Sequence, residues 1–174
     1  WQSNGFPRAR VTLRQMAKDP NRKLIVVDPR ITETAELADI HLRVKPGRDA
    51  WLLSAILGQL VQQDLIDHDW LAAHAGGHDE VIEALRDIPV ADYAAFAGIP
   101  MAQVEETAEI LGHTDSLSVL EDLGIEMAPN STVNSYHCIL LFLLTGNFGK
   151  IGAVNLPAQL VSIFSADRIS DQRD

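Results

Sequence analysis

The sequence predicts an α/β domain with a mainly parallel sheet flanked by helices, and three observations predict it. The run Leu24-Ile25-Val26-Val27 is short, continuous and largely β-branched between polar turns, as a strand buried on both faces of a parallel sheet requires. Segments with apolar residues at helical spacing alternate with such runs, the pattern of a layered α/β architecture. At 174 residues the chain holds one domain, or one with a subdomain.

The elements follow in order. Residues 7 to 18 carry Val11, Leu13, Met16 and Ala17 on one face and Arg8, Arg10, Arg14 and Lys18 on the other, an amphipathic helix stopped by Asp19-Pro20-Asn21. The first strand ends at Asp28-Pro29-Arg30. Thr32 or Thr34 can cap a short helix reaching Asp39, and Ile40 to Val44 alternates as a second strand. After the turn Pro46-Gly47-Arg48-Asp49, with Asp49 as cap, a helix over 50 to 63 carries Trp51, Leu52, Ala55, Ile56, Leu60 and Val61. Residues 64 to 112 read as a helical layer interrupted at Gly76-Gly77 and at Gly98-Ile99-Pro100. Ser116 to Leu120 is a third strand candidate, and Ser131 to Leu144 a largely buried helix. The glycine-punctuated loop Thr145 to Gly152 follows it.

Composition excludes several functions. The formal charge of −10 opposes binding to nucleic acid or to anionic lipid. No apolar run approaches the roughly 18 residues of a transmembrane helix. The single cysteine, Cys138, can neither form an internal disulfide nor alone hold a zinc ion or an iron–sulfur cluster. It leaves the compartment undecided between cytoplasm, slightly favoured, and export. The sequence opens at Trp1 in mid-pattern and trails off without closing an element, as an excised piece of a longer polypeptide would.

In parallel sheets ligands sit beyond the carboxyl ends of strands, and Asp28–Arg30, Glu121–Gly124 and Thr145–Gly152 are expected at or near that edge. Asp28 can accept from a base edge or a ribose while Arg30 offers a planar fork to phosphate; a turn carrying a surface ion pair explains the same residues. Gly47 permits close backbone approach, and Asp49 can hold a nucleoside group or simply cap its helix. Neither a Walker lysine pattern nor the Gly-x-Gly-x-x-Gly fingerprint is present, so the domain is Rossmann-like in layering only. The six histidines form no ligand set: Gly76-Gly77 breaks the helix that would align His74 with His78, and all six read as solvated or locally bonded. Cys138 reads as a core residue, and Glu105, Glu106 and Glu109 as an exposed face.

Taken in order, Leu24-Ile25-Val26-Val27-Asp28-Pro29-Arg30, Thr32-Glu33-Thr34-Ala35, Ala38-Asp39, Pro46-Gly47-Arg48-Asp49 and Leu144-Thr145-Gly146-Asn147-Phe148-Gly149-Lys150-Ile151-Gly152 resemble the molybdopterin oxidoreductase family, which includes formate dehydrogenases, nitrate reductases and dimethyl sulfoxide reductase. The resemblance covers residues 1 to about 155. It implies an α/β domain for molybdopterin guanine dinucleotide over 1–155 and a tail, 156–174, leading to the next segment of a longer parent chain. That parent binds molybdenum or tungsten through two such dinucleotides, often with an amino-terminal iron–sulfur cluster, and passes electrons to a partner. By the resemblance, Gln2 and Ser3 follow a cofactor-side loop, Asp28, Pro29 and Arg30 meet the guanosine of one dinucleotide, and Gly47, Arg48 and Asp49 contact the same part. Leu123, Gly124 and Met127 stand where many members carry Met-Gly-x-Asn-Gln, so they supply contact area without the glutamine's hydrogen bonds. Ile151 and Ala153 depart from the proline and second glycine common in the last motif. Cys138 matches neither the family's metal ligand nor its cluster cysteines, which implies that this stretch alone lacks redox chemistry.

A different class of answer is a cofactor-free α/β interaction or sensory domain whose acidic face docks a partner. The two answers separate on whether Asp28, Arg30 and Asp49 converge on one crevice.

Overall fold

The architecture is that of a computed structural model, which describes residues 8–153. Gln2, Ser3, the opening segment and the expected tail lie outside the described residues.

Helix α1 (Ala9–Met16) leads to strand β1 (Ile25–Val27), a 3₁₀ turn (Ala35–Leu37) and strand β2 (Ile40–Leu42). The strands pair in parallel, Ile25 with Ile40, Val26 with His41 and Val27 with Leu42. Their starts are tied by Asp39, whose carboxylate accepts from the Leu24 amide and from Lys23 Nζ, each at 2.9 Å. The Leu24 amide first, then the lysine, holds the Asp39 carboxyl below its ordinary pKa.

Helix α2 (Asp49–Gln62) is the centre of the molecule: every residue from Leu52 to Val61 is buried. A helix apolar all round belongs inside a core. Gly58 makes that burial possible, because a β-carbon there would stand 3.1 Å from Ile88 and Val90. Around α2 pack α4 (His78–Arg86), α5 (Val90–Ala97), α6 (Met101–Gly112) and α8 (Ser131–Leu144), with α3 (His68–His74) and the single-turn α7 (Leu123–Glu126) lying on α8. Leu42, Leu52, Leu57, Leu60, Leu71 and Leu144 are the largest apolar side chains fully buried there. No described helix is long and apolar enough to cross a membrane.

Three expectations need correction. Ser116–Leu120 is extended but belongs to no strand, so the described residues form a two-stranded parallel sheet within a mostly helical fold. Leu117 and Val119 turn toward the core while Leu120 is 62% exposed: the strand-like alternation is real, but no neighbour pairs with the backbone. β1 is not buried on both faces, since Val27 is 42% exposed and no further strand flanks it among the described residues. Asp49 is the first helical residue and not the cap, which is Arg48. Helix α5 was not legible as a separate element, although Val90, Ala94 and Ala97 keep helical spacing between Pro89 and Gly98.

Candidate functional site

Parallel pairing brings the carboxyl ends of β1 and β2 side by side, and the chain holds them together beyond the strands. The Asp28 amide continues the ladder to the Leu42 carbonyl at 3.3 Å. His41 Nε2 donates to the Asp28 carbonyl at 2.8 Å, and Arg43 Nε to the Pro29 carbonyl at 3.1 Å. Asp28 uses Oδ1 to accept from the Arg30 amide at 2.7 Å, which fixes the turn. Its second oxygen and the Arg30 guanidinium have no hydrogen-bond or ion-pair partner among the described residues.

The β2 tip continues into a turn at Gly47, where φ is +73°, a conformation that L side chains rarely adopt. A β-carbon at Gly47 would meet the Pro129 ring at 3.3 Å, so this turn lies against the segment that follows α7. That segment is the one carrying Leu123, Gly124 and Met127. Leu123 is 67% and Met127 81% exposed, and nothing stands within 4 Å of a β-carbon at Gly124. Arg48 is committed otherwise: its guanidinium lies 3.7 Å from the Phe96 ring centre and 5.6 Å from that of Trp51, a cation–π arrangement tying the turn to α5. Asp49 is half-buried, and burial pushes its carboxyl above the usual range.

The structure therefore joins the β1 tip to the β2 tip, and the β2 tip through Gly47 to the α7 segment. No hydrogen bond or ion pair joins Asp49 to Asp28 or Arg30 among the described residues. The edge is cationic for so acidic a chain: residues 28–30 and 43–49 carry Arg30, Arg43, Lys45 and Arg48 against Asp28 and Asp49.

The loop Thr145–Gly152 does not belong to this edge. Both α2 and α8 start beside Gly47 and Pro129, and both run toward the other end, where the Asp67 amide donates to the Leu144 carbonyl at 2.8 Å. A helix of 14 residues is about 21 Å long, so the last motif stands about that far from the strand tips. There it is a structural knot. Asn147, fully buried, donates to the Thr145 carbonyl and hydroxyl at 3.0 Å each and accepts from the Leu117 amide at 3.1 Å. A shallow polar cleft of about 500 Å³ opens at that end between Asp67, His113, Asp115 and Lys150.

Sequence reasoning missed His41, Arg43, Pro129 and Asn134 as parts of the strand-tip framework. Nothing in the polar first half of α8, Ser131-Thr132-Val133-Asn134-Ser135, singles out Asn134. His41, His68, His74, His78 and His113 are locally bonded. His137 differs: it is buried, its Nδ1 has no partner, and burial lowers its pKa. Among the described residues no three histidine, cysteine or carboxylate side chains gather as a metal site. Cys138 is a core thiol, pushed up to about 12 by burial and then by the Glu121 carboxylate, and so is protonated at neutral pH.

No family model matches the chain. Comparison with individual proteins points to the class: over most of its length the chain is similar to one segment of enzymes of the molybdopterin oxidoreductase family. It is 38% identical over 153 residues to an assimilatory nitrate reductase of Haloferax mediterranei, covering 87% of this chain and 21% of that protein. It is 31% identical over 152 residues to a formate dehydrogenase alpha subunit of Methanococcus maripaludis, covering 86% of this chain and 23% of that one. Its structure is similar to acetylene hydratase from Pelobacter acetylenicus, with a TM-score of 0.73 and 28% identity over 78% of this chain and 19% of that chain. The chain spans about a fifth of the length of the relatives it matches.

Proposed function

We propose that this chain is the part of a molybdopterin-dependent oxidoreductase that holds the guanosine and pyrophosphate of one molybdopterin guanine dinucleotide. The observation that carries the reading is the joined edge: two parallel strand tips bound to each other, a glycine turn against the α7 segment, and a surplus of cations. The residues fit such a group. The free oxygen of Asp28 can accept the paired N–H donors of a guanine edge, and the Arg30 guanidinium is available to a phosphate. The Gly47 turn brings backbone close to the ligand, and the exposed side chains of Leu123 and Met127 offer apolar area to a flat ring. Arg48 contributes by fixing the turn on Phe96, not by reaching the phosphate. Gln2 and Ser3, which the resemblance puts on the cofactor side, lie outside the described residues.

In the parent enzyme the metal centre held by the pterin supplies the electron transfer, while this segment binds and orients. Relatives named for formate, nitrate and acetylene share the segment, which supports placing substrate choice elsewhere in the polypeptide. The same reading makes residues 1–155 one cofactor-binding unit and assigns the electron partner, and any iron–sulfur cluster, to the remaining parts. It also extends the sheet: three-residue parallel strands do not stand alone, so a strand from the rest of the parent lies along an open sheet edge and completes the layered architecture.

Hydrolysis of the dinucleotide pyrophosphate releases guanosine monophosphate, so the test is nucleotide content per polypeptide in the purified parent enzyme. The double variant Asp28→Ala with Gly47→Val is expected to retain less than about a third of it, since two contacts to one group are removed. Unchanged content sinks the reading.

A further inference from the structure

Helix α7 is a single turn with no buried residue, so burial cannot hold it in place. Its restraints are few. Asp122 accepts from the Leu123 amide at 2.8 Å, and Ile125 rests half-buried against the core. Further tethers come from inside α8. Asn134 is fully buried, and its Nδ2 donates to the Ile125 carbonyl at 3.2 Å and, more weakly, to the Pro129 carbonyl at 3.5 Å. One amide therefore holds the middle and the trailing end of the segment carrying Leu123, Gly124 and Met127, while at its leading end the Ser135 hydroxyl donates to Glu121 Oε2 at 2.6 Å. Because Pro129 packs on the Gly47 turn, the restraint passes on to the β2 tip. The Asn134 Oδ1, buried with it, has no partner among the described residues. A group kept only for stability gains little from an amide whose acceptor is orphaned, since an apolar side chain of similar volume would remove that cost.

We propose that Asn134 is a positioning residue for the dinucleotide: its amide sets the α7 segment, and through Pro129 the Gly47 turn, at the spacing that receives the ligand. The proposal rests on the cofactor reading above and extends it to a residue that touches no ligand. Leucine at this position replaces both polar atoms in nearly the same volume, so Asn134→Leu is expected to melt close to the wild type while releasing the segment. Asn134→Ala, which needs no added width, serves as the second variant should leucine not fit.

The test uses the full parent enzyme and two readings: hydrogen exchange of amides 123–130, and pterin content from the fluorescence of the oxidised pterin after release. The expected result is exchange roughly tenfold faster in 123–130 with α2 unchanged, together with a several-fold loss of pterin. Wild-type exchange in 123–130, or equal loss of protection throughout α2 and α8, overturns the proposal. Faster exchange with full pterin content overturns it too, leaving Asn134 a purely structural tether. A wild-type enzyme without pterin overturns the cofactor reading and this inference with it, an outcome distinct from failure of the inference alone, in which wild type and variants are equally loaded.

Discussion

Two buried asparagines mark the two ends of α8, and they differ in one respect. Asn147, just past the far end, has its donors and its acceptor satisfied by Thr145 and Leu117. Asn134, in the first turn at the strand-tip end, satisfies its donors and leaves its acceptor unpaired. The far end is thus completed by its own loops. The near end presents an unpartnered acceptor, an exposed one-turn helix and a strand tip with a free carboxylate oxygen and guanidinium. The difference teaches where the molecule is finished internally and where it is built to meet something else.

That contrast can be broken or sharpened by substitution. The largest effect is expected from Leu57→Ala in α2, fully buried and common to both ends: a loss of about 3–5 kcal/mol in urea unfolding, with both ends failing together. Separate transitions for the two ends would show that α2 does not couple them. Asn147→Ala should cost about 2–3 kcal/mol by the same measurement, because it strips a buried, satisfied network and orphans the Leu117 amide. A loss near zero would erase the distinction between the ends. Gly47→Ala is expected to cost about 1–2 kcal/mol, from the left-handed backbone and the contact with Pro129. Thermal melting checks it.

The smallest effect belongs to Asp39. Its folded pKa lies below the unfolded value, so its contribution is present above the ordinary 3.8 and disappears as pH falls through the lower folded value. Solvent exposure limits it to under about 1 kcal/mol. Asp39→Asn should therefore be slightly less stable than wild type at pH 7 and indistinguishable well below pH 3.8, as read from unfolding curves at the two pH values. Asp49 carries the opposite sign. Its raised pKa means that ionisation opposes folding, so Asp49→Asn is expected to gain stability at neutral pH and to lose that advantage as pH falls through the raised value.

The fold was legible where one element's own pattern decides. Ser131–Leu144 matches the predicted span, α2 is displaced by one residue, and Asp28-Pro29-Arg30 terminates β1 as its composition requires. The Ser116–Leu120 strand failed because alternation reports which side chains turn inward but not whether a neighbouring chain is there to pair. The candidate site was legible as separate motifs. Their grouping was not: Thr145–Gly152 reads like the other polar loops, and only the length of α8 removes it to the opposite end. The place of Arg48 beside Phe96 was not legible either, because it depends on α5, an element that periodicity did not isolate.

By itself the sequence determined the helix periods, the turn chemistry at Asp28 and Gly47, the acidity of the chain and the family to which its motifs point, all of them properties of neighbours along the chain. Tertiary structure decided which tips share an edge, which arginine remains available, and that a buried amide in α8 restrains a segment several residues upstream. Those outcomes depend on distances between residues far apart in sequence. Such distances are set by how long helices lie against one another in a filled core, and no local pattern encodes them.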